Sequence, residues 1–568
     1  MLEATLRTDG SVTDVVCALA PETVKGSPEE RLICLDGLPR LRRRPPSVPI
    51  AESDPASWTG GFSFVIWNRT RETLHAYRDH YGARALYYRE EPGRLILSSE
   101  LPTILDHLPS APPIDEAAAA EYVVTGVLSE NRTFHQGIHR LPAASRLSAG
   151  RGGLRIERYW RPWTGPWRGD RDPTALDDEF RRLFRAAVAE TLAAPGPVGV
   201  LLSGGPDSSA VLGMAARLGR EAPVALESPR AALTMVFDAV RQCDEGARAQ
   251  ETAVMHGVPW RPVRVEDRSP LHGLDDFLLR FGEPPCSVNL ALEAILLDTA
   301  RREGIIALLD GHDADALFTP SAAYLAALLR DVRWGRLASE LVSLKRDHKL
   351  PLRRLIHSTI APLVPAAVRR LRHRAPAWIR PDVARRTGLE ERLRTHPPKA
   401  EFQEAEADRI LAPSVGLALE VTRCLERMHG VEGRHPFFDA DLVRFVLSLP
   451  LEARYRSGES KILLRRALAD LLTPASRSRI DKTNYTPYLD WSLRTHLGSR
   501  LAALAERGSV WLDPYVEWRH ARPMIAALLA GRPSDRMAIW RLVALERWLM
   551  LRSGHQVTQE VPHETPVA

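Results

Sequence analysis

The sequence predicts an α/β chain of at least two domains, because three textures follow one another along its 568 residues. Up to about residue 150, short runs such as "GGFSFVIWN" and "RLILSSE" stand between Gly, Asn and charged residues, the pattern of strands joined by turns. From about 197, apolar strand-like runs alternate with helical periods, which implies a parallel sheet covered by helices. Beyond 320 the pattern is almost wholly helical to about 552. The last sixteen residues, 553–568, are polar and are expected to form a flexible tail.

Each element has its own signal. "APPIDEAAAAEYVVTG" reads as a Pro-led helix that ends at Gly126. The stretch 159–173, "YWRPWTGPWRGDRDP", is rich in Pro, Gly and Trp and reads as a linker between domains of about 1–160 and 170–552. The next segment places Leu176, Phe180, Leu183, Phe184 and Val188 on one side of a helix. "VGVLLSG", "AALTMVF", "PVRVE" and "GIIALLDG" are four strand candidates, with helices after the first and second.

Composition narrows the class. A hydrophobic content of 44% beside 26% charged residues suits a soluble globular chain. No apolar run is long enough to span a membrane, and the start has neither a basic nor an apolar leader region. The five cysteines, Cys17, Cys34, Cys243, Cys286 and Cys424, have no CxxC spacing, which disfavours a disulfide framework or a zinc site and points to a cytoplasmic setting. The net charge is only +6, yet residues 331–400 carry 17 Lys and Arg against 6 Asp and Glu. That block lies in a basic helical insertion of about 321–410. It suits either an acidic partner or solvated helix faces. No nucleic-acid or membrane partner is expected. The chain has six lysines, so Lys461 and Lys482 stand out.

Two loops carry the chemistry. "LLSGGPDSSA" follows a strand and opens a helix, where backbone N–H groups and the helix dipole favour an anion. Gly204 and Gly205 allow close backbone approach, while Ser203, Ser208 and Ser209 add hydroxyls. The absence of GK[ST] excludes a Walker A loop. A plain strand–turn–helix capped by Asp207 or Ser208 is the simpler alternative. "IIALLDGHDADALF" offers Asp310, Asp313 and Asp315 at a second strand end. Because Mg²⁺ is commonly held by one or two carboxylates with substrate phosphates, Asp207 and Asp315 are expected to meet over a triphosphate as metal ligands.

With these motifs in view, the chain resembles the asparagine synthetase group of ATP pyrophosphatases. "SGGPDSS" looks like that group's SGGxDSS loop, and "DGHDADALF" resembles its second acidic loop. "VEGRHPFFD" is similar to VEARVPFLD, and "SKILLRRAL" with "SRIDKTNY" to K-x-x-L-R-x-A and R-x-x-K. "WTGGFSFVIWN" and "AYRDHYGARALYYREEPGRLILSSEL" are similar to the group's N-terminal half. The resemblance implies an N-terminal Ntn-hydrolase-like α+β sandwich, glutaminase-like but inactive, before an ATP-pyrophosphatase domain with a parallel sheet and many helices. It also implies ATP and Mg²⁺ as cofactors. Ser203, Gly204, Gly205, Asp207 and Ser208 are then expected to grip ATP phosphates. Lys482 would stabilise the departing pyrophosphate, and Lys461 would play a similar or structural part.

The departures from that pattern shape the expected reaction. Position 2 is Leu2, where glutamine-using members have a nucleophilic Cys, so glutamine hydrolysis is expected to be absent. His312 stands where asparagine synthetases have Glu and β-lactam synthetases Tyr, and is a candidate general base. Ala316 replaces a carboxylate. Glu432 is expected to anchor Arg434. About 115 residues separate Asp315 from Glu432, more than asparagine synthetases are expected to have. These features suit a lasso peptide cyclase, which adenylates an Asp or Glu side chain of a precursor peptide and closes a macrolactam with its N-terminal amine. That resemblance implies a precursor peptide, a leader-peptide-recognition protein and a leader peptidase as partners. The alternatives are a β-lactam synthetase-like cyclase, an asparagine synthetase-like amidotransferase and a non-catalytic scaffold.

Overall fold

The computed structural model describes residues 54–554, with short gaps of which the longest are 365–373 and 394–401, and five strands within 2–41. The expected tail beyond 554 and part of the basic insertion lie outside the described residues.

The N-terminal part is two antiparallel sheets. Five strands run in the order 139–140, 87–91, 94–98, 2–6, 12–17, and six in the order 153–158, 145–150, 73–78, 63–68, 30–36, 24–26. Their inner faces share one core. Val65, Trp67, Leu74 and Ala76 of the second sheet meet Leu95, Leu97 and Tyr88 of the first. The alternation is clean: Leu95 and Leu97 point into that core, while Ile96 packs outward with Leu101 and Ile104 of the helix Leu101–Asp106. The helix expected to be Pro-led begins instead at Glu116, because Asp115 accepts from the Ala117 and Ala118 amides and so caps it; Gly126 ends it in the left-handed region as expected.

The C-terminal part is built on a five-stranded parallel sheet, ordered 260–264, 232–236, 198–201, 307–309, 432–434. The fifth strand, Glu432–Arg434, interrupts the stretch expected to be helical, as does a small hairpin at 455–456 and 459–460. Helix Pro173–Leu192 buries all five of the residues expected on its inner side. The Trp-rich segment before it is no loose tether, since Trp160 is fully buried and the Trp167 amide donates to the Ser448 carbonyl.

Two sets of contacts join the parts. Glu420 is buried and accepts from Arg78 (2.5 Å), Arg140 (2.9 Å) and the Tyr87 hydroxyl (3.0 Å), all three from the N-terminal part. The last helix, Arg536–Arg552, is buried along most of its length. Its Arg541 donates to the Val123 carbonyl at 3.0 Å and its Trp548 ring packs on Phe134 with centroids 5.1 Å apart, both across the join, while Trp548 also donates to the Gly282 carbonyl of its own part at 2.9 Å.

Candidate active site

The strand Val198–Leu201 runs straight into the first glycine loop. Gly204 turns the chain at φ +65°, and a Cβ there would stand 2.7 Å from the Ala249 amide nitrogen and from Arg248 Cβ. Only glycine allows this approach to the helix Gly246–His256. Gly205, rather than Asp207 or Ser208, is the N-cap of the helix Pro206–Glu221, and Pro206 occupies its first turn. The helix therefore offers first-turn amides and the positive end of its dipole at the loop. The Ser208 hydroxyl accepts from the Ser203 amide and pairs with the Ser203 hydroxyl, each at 3.1 Å, so Ser208 shapes the loop from within. The Ser476 hydroxyl donates to the Gly204 carbonyl at 2.9 Å.

The second loop leaves the neighbouring strand, Ala307–Leu309, and presses against the first. A Cβ at Gly311 would lie 2.8 Å from the Ser208 amide nitrogen and 2.9 Å from Asp207 Cβ. Asp313, with φ +64°, starts the short helix Ala314–Phe318 and brings Asp315 inward.

Four charged side chains then converge. Lys461 Nζ is 2.5 Å from Asp207 Oδ2 and 2.6 Å from Asp315 Oδ1, and Lys482 Nζ reaches the other oxygen of Asp315. Lys461 is buried and left-handed at φ +64°, a costly backbone for a lysine, and it starts the helix Ile462–Ala467. The Lys482 side chain is 81% exposed and stands at the rim. Burial pulls the Lys461 ammonium down, but the two carboxylates outweigh it and hold its pKa above the usual lysine value. Burial pushes Asp315 up, and the two lysines override it to hold the carboxyl at about 2. For Asp207 burial wins and raises the carboxyl. Among the described residues its buried Oδ1 meets no hydrogen-bond donor.

Further groups brace the basic loop. Arg479 donates to buried Glu245 at 2.6 Å and to the Thr483 hydroxyl at 2.6 Å, and Glu245 also accepts from Tyr485 at 2.9 Å. Arg465 donates to the Ser460, Arg477 and Arg479 carbonyls. Sequence reasoning missed Arg479 as a site residue, although it is the Arg of the R-x-x-K spacing. Glu432 accepts from Arg434 at 3.0 Å, as expected, and also from Arg84 of the N-terminal part at 2.9 Å.

His312 lies beside this cluster rather than in it. Its amide donates to Asp310 at 3.0 Å, and its exposed ring stacks on Phe438 with centroids 6.1 Å apart. The same Asp310 oxygen pairs with His435 Nδ1 at 2.9 Å, an arrangement with no trace in the sequence reading.

A family model described as asparagine synthase matches residues 179–550, and one described as a glutamine amidotransferase domain matches 53–160. The chain belongs to the asparagine synthase family. Among the relatives of this family member are an amidase of Gibberella zeae, chry2, and one of Penicillium rubens, chyE. Each is 24% identical over 543 residues, spanning 87% of this chain and 78% or 79% of the relative. A glutamine-hydrolysing asparagine synthetase of Bacillus subtilis is 24% identical over 471 residues, 79% of this chain and 72% of its own.

Asparagine synthases are ATP-dependent C–N ligases that typically use Mg²⁺. The residues present fit such an ion. Asp207 Oδ1 is an orphaned buried acceptor, and Asp315 comes from the adjoining strand end. Two carboxylates beside an anion-binding helix start form the usual donor set for an Mg²⁺ that arrives with phosphates. Among the described residues, no helix is long and apolar enough to cross a membrane.

Proposed function

We propose that this asparagine synthase family member forms an isopeptide bond within a precursor peptide at the expense of ATP. An Asp or Glu carboxylate of the peptide attacks the α-phosphorus of ATP, giving an acyl-adenylate and pyrophosphate. The peptide's own N-terminal amine then displaces AMP and closes a macrolactam. The observation that carries the ATP-dependent step is the convergence of Asp207, Asp315, Lys461 and Lys482 at adjoining strand ends.

Each residue has a task in this reading. The 203–208 loop and its helix start bind the β- and γ-phosphates. Asp207 and Asp315 would hold Mg²⁺, which when bound neutralises charge on the phosphates. Lys461 and Lys482 stabilise charge on the leaving pyrophosphate, with Lys461 fixed by burial and Lys482 closing from the rim. Cyclisation without glutamine as amine source is supported by the thiols. Burial pushes Cys286 and Cys424 up to about 12 and raises Cys243, so none is activated, while Cys17 and Cys34 lie within strands of the N-terminal sheets. The N-terminal domain then serves as a packed support. The Arg-rich insertion is proposed as the surface that meets the leader-peptide-recognition protein or the leader peptidase. Its helices Ala323–Arg330 and Trp334–Asp347 rest on Leu451 and Tyr455, close in sequence to Lys461.

The test is ATP–pyrophosphate exchange with synthetic peptides that start with Gly and carry Asp or Glu seven to nine residues on, followed by mass spectrometry. Peptide-dependent exchange and a product 18 Da lighter support the reading. Exchange driven instead by a small β-amino acid would favour a β-lactam synthetase-like enzyme. No exchange with any of these, and no loss of biological function in Asp207→Ala, would leave the scaffold.

A further inference from the structure

Between the two domains lies a cavity of about 330 Å³. Tyr81, His80 and Arg84 line it from the N-terminal side, and Glu432, His435 and Phe438 from the synthetase side. Three of its lining residues carry buried polar atoms with no partner among the described residues, His80 Nε2, the Tyr81 hydroxyl and Arg84 Nε. A cavity walled in this way is built for a polar occupant rather than for packing.

His435 links this cavity to the second acidic loop. Its Nδ1 is tied to Asp310, the first residue after the strand Ala307–Leu309, and Asp310 also holds the His312 amide. The next residue, Gly311, is the one pressed against Asp207 and Ser208. Fixed at Nδ1, the ring has no protein partner at Nε2 among the described residues. A carboxylate that orients an imidazole from behind and leaves the outer nitrogen free is the arrangement that proton-transfer sites use. Among the described residues His312 has no hydrogen-bonded brace of this kind: its ring stacks on Phe438 and lies 5.7 Å from His435 between centroids.

We propose that His435, oriented by Asp310, takes the proton from an amine held in the interdomain cavity as that amine attacks the acyl-adenylate. This inference rests on the amide-forming reading above. In the step, the amine nitrogen bonds to the acyl carbon, and the acyl carbon–phosphate oxygen bond breaks with its electron pair leaving on AMP. The amine's proton passes to His435 Nε2 and from there to water. Asp310 is a positioning residue.

The groups facing His435 set its protonation. Burial disfavours its charged form, but the Asp310 carboxylate outweighs it, and the ring is held up to about 9. Glu426 of the helix Pro413–His429 adds to the rise, and Arg84 of the N-terminal domain opposes it. Glu293, on the helix Leu290–Arg302, also feels the ring, and His312 acts on the shared Asp310. The ring is therefore mostly protonated at neutral pH, and it accepts the proton of the neutral α-amine only in its own neutral form, whose fraction grows as pH rises toward about 9.

The experiment uses the full chain and a synthetic peptide with Gly first and Glu at position eight. ATP–pyrophosphate exchange reports adenylation, and ring closure reports the second step. His435→Gln is expected to lower ring closure by about 100-fold, the usual scale of a lost general base, with exchange kept within about threefold. In wild type the closure rate rises with pH through about 9. In Asp310→Asn that limb moves toward the ordinary histidine value of about 6.5, and the His435 ring signal in nitrogen-15 NMR titrates with it. If His312→Gln rather than His435→Gln abolishes closure, the inference is overturned. Equal loss of exchange and closure in both His435→Gln and Asp310→Asn would make the pair structural and overturn it too. Wild-type protein that shows no peptide-dependent exchange overturns the reading beneath it, which is a different result from exchange without any His435 dependence.

Discussion

Lys461 Nζ lies 2.5 Å from Asp207 and so occupies the space between two carboxylates that are offered to a divalent cation. The ammonium acts as an internal counter-ion, which means that a metal must compete with it. In Lys461→Met, Mn²⁺ binding without nucleotide is expected to tighten about tenfold or more, equivalent to ~1.4 kcal/mol, as read by electron paramagnetic resonance. Unchanged Mn²⁺ affinity would refute the competition.

Asp207 and Asp315 cannot be exchanged for neutral residues without losing adenylation. Asp207→Asn and Asp315→Asn are each expected to reduce ATP–pyrophosphate exchange by about 100-fold or more, the scale seen when a preorganised electrostatic group is removed. Thermal melting separates this from unfolding. Asp207→Asn should melt at or above the wild-type temperature, because its carboxyl is already raised by burial.

Gly204→Ala tests the loop geometry. The added methyl meets the backbone of residues 248 and 249 at 2.7–2.9 Å in a left-handed conformation. A loss of about 1–3 kcal/mol in unfolding free energy is expected from such overpacking, with weakened nucleotide binding by calorimetry. Gly335→Ala, which meets nothing within 4 Å, is the control.

The weld between the domains depends on Glu420. Removing its carboxylate in Glu420→Ala leaves the Arg78 and Arg140 guanidinium groups buried without that partner. The expected cost is about 3–5 kcal/mol. Calorimetry should show a lower melting temperature and a split of the transition, because the two domains lose a shared buried charge.

Stability should also fall in alkali through one identifiable pair. His435 has its folded pKa raised to about 9 by Asp310, against an ordinary value of 6.5. The stabilisation is therefore complete below about pH 6.5 and fades as pH rises through about 9. Melting temperatures measured between these limits should decline in wild type and flatten over that window in Asp310→Asn.

Much of this site could be read from the chain because it rests on local rules. Asp207 and Asp315 each follow a strand, and parallel strands deliver their carboxyl ends to one edge. That was enough to expect the two acids to meet, with Lys461 and Lys482 as the lysines of note. The finer arrangement depends on contacts across long separations. Nothing in "EGR" at 432–434 has strand character, and its place beside the 307–309 strand comes from tertiary pairing. The Asp310–His435 pair joins residues 125 apart. Lys461 reads as an ordinary helix start, and its left-handed backbone, which turns the amine inward, is set by the surrounding fold. The simpler alternative gives the cap of the 206–221 helix to Asp207 or Ser208, but Gly205 takes it with no side-chain cap bond.

The last helix has a consequence for how the molecule is made. Arg541 and Trp548 lock onto Val123 and Gly282, which leave the ribosome some four hundred and some two hundred and sixty residues earlier. Until that final segment emerges, the helix Glu116–Thr125 lacks part of its apolar cover. The nascent chain must therefore carry an exposed greasy surface through most of its synthesis. A premature stop shortly before residue 536 would leave a product that is nearly full length yet permanently open at that seam, and a ready target for chaperones and proteases.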